Sequence, residues 1–258
     1  MPVAGIDIGS LSTEVVILKK EEMLAQVIIP TGANSKLAAE KAMKEALEKS
    51  GLSFNELGYI VATGYGRVSV PFANKKVTEI SCHGKGAFFL HPGVRTVIDI
   101  GGQDSKVIRL SPQGKVIDFV MNEKCAAGTG RFLEVMAHAL ETDLEEMSRP
   151  SAPSVKTANI SSMCTVFAES EVVSLVAEGH PREEIIKGII YSVVERTISL
   201  ARRVGVEEEL MMTGGVAKNI ALREALEKSL GIKITVPDEP QAVGALGAAL
   251  LAAEEAVK

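Results

Sequence analysis

Two stretches of the chain join an acidic residue to a glycine-bearing turn. Gly5-Ile6-Asp7-Ile8-Gly9-Ser10 opens one, and Val97-Ile98-Asp99-Ile100-Gly101-Gly102 opens the other. A phosphate is held by backbone N–H groups and short hydroxyls that approach with no Cβ in the way. Gly9, Ser10, Leu11, Ser12 and Thr13 form one such loop, and Gly101, Gly102, Gln103 and Asp104 form a second. Asp7 and Asp99 would hold Mg²⁺, directly or through water, between loop and phosphates. Gln103 is the candidate for positioning an attacking water, with Asp7, Asp99 and Asp104 as Mg²⁺ or water partners. A third stretch, ELMMTGGVAKN at 209–219, reads as an apolar strand, a Gly-Gly turn and a helix start. Gly214 and Gly215 would let a nucleoside lie flat on the backbone, with Lys218 and Asn219 beside it. Neither a P-loop GxxxxGK[ST] nor a Rossmann GxGxxG is present to compete for that role.

The three cysteines carry a different chemistry. Cys125 in NEKCAAGTG and Cys164 in SSMCTVFAE each precede an apolar helical pattern, Thr165 being a candidate N-cap for the second. A helix N-terminus favours a thiolate and any anionic group bound to it. Two thiolates are too few for a tetrahedral metal or an iron–sulfur cluster, and Cys82 raises the count only to three. A homodimer in which each chain gives Cys125 and Cys164 supplies four ligands on a two-fold axis. Spacing alone does not separate iron from zinc. Cys82 reads as a small buried hydrophobe.

These residues need elements to hold them. GIDIGSLSTEVVILKK and VIDIGGQDSKVIRLSP align Asp7 with Asp99, Gly9 with Gly101, Val15 with Val107 and Leu18 with Leu110. Each is a β-hairpin pattern, and a repeat so widely spaced implies two related lobes. Helical patterns lie between: 37–49 closed by Gly51, a spacing set by Phe132, Val135, Met136, Ala139 and Leu140, then 184–204, and 220–230 closed by Gly231. Residues 148–157 read as an exposed loop. The expected architecture is α/β, with one lobe of 1–93 plus 242–258 and another of 94–241 around a cleft.

With 258 residues and 46% hydrophobic side chains, the chain can bury a sizeable core. Its net charge is −5, with both signs interspersed and no basic stripe, so no nucleic-acid partner is expected. No apolar run suits a bilayer span, and Met1-Pro2-Val3 runs straight into a strand pattern, so a cytoplasmic protein without membrane contact is expected.

The order of two Asp-x-Gly hairpins and a Gly-Gly turn resembles the actin, Hsp70 and sugar-kinase superfamily, which implies ATP bound between two duplicated lobes. GIDIGS, ATGYGR, SCHGKGA, VIDIGGQDSKV, NEKCAAGTGRFLE, SSMCTVFAESEV, MMTGGVAKN and GALGAAL resemble, nearly end to end, the activators (component A, "archerase") of 2-hydroxyacyl-CoA dehydratases. That group includes the ATPase subunits of benzoyl-CoA reductase and activators of double-cubane cluster proteins. The resemblance implies one oxygen-sensitive [4Fe–4S] cluster per homodimer, ligated by Cys125 and Cys164. It also implies that ATP hydrolysis drives one low-potential electron into a partner iron–sulfur enzyme, with ferredoxin or flavodoxin as donor. One departure stands out: Glu14 occupies a place where the family often has Lys, whereas Lys106 keeps the matching place in the second loop.

The alternatives are a small-molecule kinase of the same superfamily, which leaves Cys125 and Cys164 unexplained, and a zinc-stapled ATP-binding structural dimer. Residues 63–67, TGYGR, read equally as a turn and as a contact that closes the cleft or meets the partner. His83 is the histidine nearest a motif, but no metal-ligand spacing forms around it.

Overall fold

The computed structural model describes residues 1–122, 126–161 and 164–257. In chain order the elements are β1 (Pro2–Ile8), β2 (Ser12–Lys19), β3 (Glu22–Pro30), α1 (Ser35–Ser50), β4 (Tyr59–Thr63), β5 (Lys75–Lys76), α2 (Glu79–Leu90), β6 (Thr96–Ile100), β7 (Ser105–Leu110), β8 (Val116–Asn122), α3 (Gly130–Ala139), α4 (Thr165–Ala177), α5 (Arg182–Val204), β9 (Leu210–Thr213), α6 (Ile220–Leu230), β10 (Ile234–Thr235) and α7 (Val243–Glu255). Short 3₁₀ turns join several of them, among them Tyr65–Ser69 and Gly215–Lys218.

β1 reads as a continuous apolar run because both of its faces are covered. Ala4, Ile6 and Ile8 pack with Ala39, Ala42, Met43 and Ala46 of α1, while Val3 packs with Ala245, Ala248 and Ala249 of α7. β6 and β7 are sandwiched likewise. Ile98, Ile100 and Val107 face α3 and α5, and Val97 and Ile108 face Ile80 and Ala87 of α2. The predicted hairpins are present as β1–β2 and β6–β7, and each gains a third antiparallel strand.

The two five-stranded sheets share one order, β3-β2-β1-β4-β5 and β8-β7-β6-β9-β10. The duplication therefore extends past the hairpins. Asp7 pairs with Thr63 on the parallel neighbour β4 just as Asp99 pairs with Thr213 on β9. Each threonine is followed by a glycine in the left-handed half of backbone space, Gly64 at φ 81° and Gly214 at φ 82°, where a Cβ is disfavoured.

The sheets are joined by crossing helices. α2 lies on the second sheet and α7 on the first, and the two meet backbone to backbone. A Cβ on Gly247 would overlap the Cys82 carbonyl, and one on Gly86 would overlap that of Val243. The predicted helix ends hold at Gly51 and Gly231, both left-handed caps. The start of α4 differs: Cys164, in extended conformation, is the N-cap residue, and Thr165 is the first helical residue with its hydroxyl buried and unbonded.

Candidate functional site

Each hairpin turn is closed by its own backbone, with Gly9 N–H donating to Ser12 O at 2.9 Å and Gly101 N–H to Asp104 O at 3.0 Å. The turns face one another across a cleft of about 810 Å³. They come so close that a Cβ on Gly102 would lie 2.6 Å from Leu11 Cγ and 2.8 Å from Ser10 Oγ. Asp7, Gly9, Ser10, Leu11 and Ser12 line the cleft from the first lobe, with Asp99, Gly101, Gly102, Gln103 and Asp104 opposite. Gly214, Gly215, Lys218 and Asn219 complete the wall.

Thr13 is not on that wall. Strand side chains alternate, so Ser12 and Glu14 face the cleft while Thr13 turns to the other face and meets Thr31 Oγ1 at 2.8 Å. Two further residues carry structural bonds. Lys218 Nζ lies 2.8 Å from Glu239 Oε1 and 2.7 Å from Gln241 Oε1. Asn219 caps α6 by accepting from Leu222 N–H at 2.9 Å. The 63–67 turn proves to be the first-lobe twin of the Gly214-Gly215 turn: Gly64 and Tyr65 line the cleft, and Arg67 fastens the turn by donating to Gly64 O at 2.8 Å and pairing with Glu79 at 3.1 Å.

The two aspartates are electrostatically unequal. Burial works against an Asp99 anion, but His83, Lys106 and the Thr213 hydroxyl outweigh it and hold the carboxyl down at about 2. Lys106 Nζ lies 3.1 Å from Asp99 Oδ2 and 2.9 Å from Asp104 Oδ1. Burial opposes its charge, yet these two carboxylates raise its pKa above the usual lysine value. Burial pushes Asp7 up to about 6, against the pull of His83 and Lys106. Glu14, 4% exposed, is pushed well above the carboxylate range by burial and by Asp7, with Ser12 as its hydrogen-bond partner.

Sequence reasoning missed His83. Its ring stands between the lobes, with Nε2 3.7 Å from Asp7 Oδ2 and Nδ1 3.4 Å from Asp99 Oδ1. The signal was the SCHGKGA stretch itself, an apolar helix carrying one imidazole toward the cleft floor.

The two described cysteines differ in setting. Cys82 is fully buried in α2, and burial pushes its thiol up to about 12. Cys164 is partly exposed and lines a shallow hollow with Ser161, Phe167, Glu171 and Ser174. Around it α4 presents apolar side chains to solvent: Val166 at 64%, Phe167 at 66% and Val173 at 54% exposed. Cys125 lies outside the described residues. The segment that follows it is stitched to the second phosphate loop. Gly130 N–H donates to Gly101 O at 2.9 Å, Arg131 N–H to Gly102 O at 2.8 Å, and Thr129 Oγ1 to Gly102 O at 3.0 Å. Among the described residues no helix is long and apolar enough to cross a membrane.

Residues 4–252 match the BadF/BadG/BcrA/BcrD ATPase family. The chain is 51% identical over 255 residues to the activator of lactoyl-CoA dehydratase from Anaerotignum propionicum, covering 98% of each chain. The activator of 2-hydroxyisocaproyl-CoA dehydratase from Clostridium difficile, solved with bound ADPNP, superposes with a TM-score of 0.92 at 44% identity, covering 100% of this chain and 96% of that one. The ROK hexokinase of Thermus thermophilus, at 17% identity and TM-score 0.52 over 99% of each chain, shares the fold alone. The architecture is thus the actin, Hsp70 and sugar-kinase fold expected from the hairpin order.

Proposed function

This chain belongs to the BadF/BadG/BcrA/BcrD ATPase family, and on that premise we propose that it is an ATP-driven activator that passes low-potential electrons to a partner iron–sulfur enzyme. The partner class is a 2-hydroxyacyl-CoA dehydratase, a benzoyl-CoA-type reductase or a double-cubane cluster protein. The activator names of its relatives support that reading, and ferredoxin or flavodoxin is the proposed donor. The proposed setting is the cytoplasm.

ATP and ADP would lie with their phosphates between residues 9–12 and 101–104 and the nucleoside on Gly214 and Gly215. A relative solved with bound ADPNP supports nucleotide binding by this chain. Mg²⁺ suits the cleft floor. Asp7 is a buried carboxyl whose charge is costly until a cation offsets it, and among the described residues no lysine forms an ion pair with it as Lys106 does with Asp99. Mg²⁺ would supply charge neutralisation on the phosphates. Gln103, exposed on the wall, would orient the attacking water, and Asp104 would hold Lys106 toward the loop.

The cysteines fit a cluster held between two chains. Cys164 stands at a helix N-terminus on the surface, and the exposed Val166, Phe167 and Val173 around it suit a homodimer face. Cys125 and Cys164 from each chain would ligate one [4Fe–4S] cluster, which when bound supplies the one-electron chemistry. Coupling falls to the chain's own residues. Loss of the γ-phosphate alters what residues 9–12 and 101–104 hold, and the lobes turn about the α2–α7 crossing. Lobes of 1–93 with 242–258 and of 94–241 are the proposed moving bodies, except that α2, whose Ile80 and Ala87 pack on the second sheet, would move with the second.

One observation carries this reading: the three bonds from Thr129, Gly130 and Arg131 to Gly101 and Gly102 tie the segment after Cys125 to the phosphate loop. The test is anaerobic purification of the full chain with Cys125→Ala and Cys164→Ala. About four irons per two chains are expected in the parent and none in either variant. Partner reduction surviving without iron would overturn the proposal.

A further inference from the structure

His83 lies in the first turns of α2, 6% exposed, on the floor of the cleft. The Thr213 hydroxyl donates to Asp99 Oδ1 at 2.8 Å, so its one hydrogen is used. The 3.3 Å contact between Thr213 Oγ1 and His83 Nδ1 is then a hydrogen bond only with Nδ1–H as donor. The same N–H lies 3.4 Å from Asp99 Oδ1, a carboxylate that is an acceptor only. Nδ1 is therefore committed to the second lobe. The two ring nitrogens of a histidine have distinct roles, set by the bond the other makes. Here Nε2 faces the first lobe, 3.7 Å from Asp7 Oδ2, beyond the reach of a direct hydrogen bond. α7 closes the remaining side, where a Cβ on Gly244 would lie 2.9 Å from Nε2.

The two contacts respond differently to lobe motion. α2 packs on the second sheet, so its Nδ1 contacts travel with Asp99 and Thr213. Asp7 travels with the first sheet and α7. A rotation at the α2–α7 crossing that kept α2 on the second sheet would change the Nε2 to Asp7 gap and leave the Nδ1 side intact. We propose that His83 is a positioning residue for the nucleotide-bound cation, holding Asp99 through Nδ1 and setting through Nε2 the lobe angle at which Asp7 comes into place. This rests on the nucleotide reading of the cleft.

The variants follow from the chemistry. In His83→Asn the amide donor sits near the Nδ1 position and nothing reaches toward Asp7; in His83→Gln it reaches toward the Nε2 position. ADP binding to the full chain is measured with and without Mn²⁺, the metal being counted by its electron paramagnetic resonance signal, alongside kcat and KM for ATP. Both variants should keep metal-free ADP affinity within about twofold. They should lose about tenfold of the Mn²⁺ enhancement and about tenfold in kcat, the scale of one hydrogen bond to a charged group. Full Mn²⁺ enhancement and kcat in His83→Asn would overturn the proposal, since the Nδ1 contact alone would then suffice. Equal loss of metal-free affinity would overturn it in favour of a purely structural role. A parent chain that binds no ADP would instead sink the nucleotide reading. A measurement on the parent avoids dependence on variant folding: with ¹⁵N-labelled histidine, Mg²⁺ added to the ADP complex should move the His83 Nε2 resonance and leave Nδ1 in place. An Nε2 that does not respond would overturn the proposal.

Discussion

Glu14 holds in the first sheet the position that Lys106 holds in the second: it pairs with Asp7 across β1 and β2, as Lys106 pairs with Asp99 across β6 and β7. The duplicated frame thus carries an acid at the site where its twin carries a base. The folded chain keeps a proton on Glu14 above 4.5, its ordinary value, where the unfolded chain releases it. Stability is therefore lost as pH rises from 4.5 toward the raised folded value. Glu14→Gln should be more stable than the parent at pH 8, with the difference gone near pH 4. Urea unfolding across that range checks both limits.

Asp7 and Asp99 should show opposite linkage. The folded pKa of Asp7 is raised from 3.8 to about 6, so its stabilising proton is present below 3.8 and lost as pH rises through 6. Asp7→Asn should stabilise the fold above pH 6 while lowering ATPase activity about a hundredfold or more, the scale of a lost electrostatic contact in a transition state. Asp99 is lowered to about 2, so its contribution is present above 3.8 and lost as pH falls toward 2. Asp99→Asn should cost about 3 kcal/mol at pH 7, because Lys106 loses a buried partner, and progressively less in acid. Denaturation curves from pH 2 to 8 distinguish the two.

The α2–α7 crossing should tolerate no added atoms. Gly247→Ala places a Cβ against the Cys82 carbonyl, backbone that cannot swing aside. A loss of about 1–3 kcal/mol or more is expected, with ATPase falling more steeply than nucleotide affinity because the crossing joins the lobes. Thermal unfolding and nucleotide titration measured together test this.

Thiol chemistry should separate the cysteines. In the native, iron-free chain iodoacetamide should reach the partly exposed Cys164 and spare Cys82, which is fully buried and held protonated by a pKa of about 12. Peptide mapping before and after unfolding reads this directly. Phe167→Asp places a charge on the exposed apolar face of α4 and should shift sedimentation from dimer to monomer while nucleotide binding persists.

Much of this protein was decided locally. The alternation and β-branched runs around Asp7 and Asp99 dictated two matching hairpins, and Gly51 and Gly231 dictated where two helices stop, because pleat and helix periods are properties of neighbouring residues. The tertiary structure decided what adjacency in the chain cannot encode. Thr13 faces away from the cleft because one step along a strand reverses its face. The 63–67 turn became the twin of the Gly214-Gly215 turn only once β4 and β9 took equivalent places beside β1 and β6. His83 came between Asp7 and Asp99 only once α2 had crossed α7, since that placement depends on the packing of glycines against backbone and not on any spacing in its own helix.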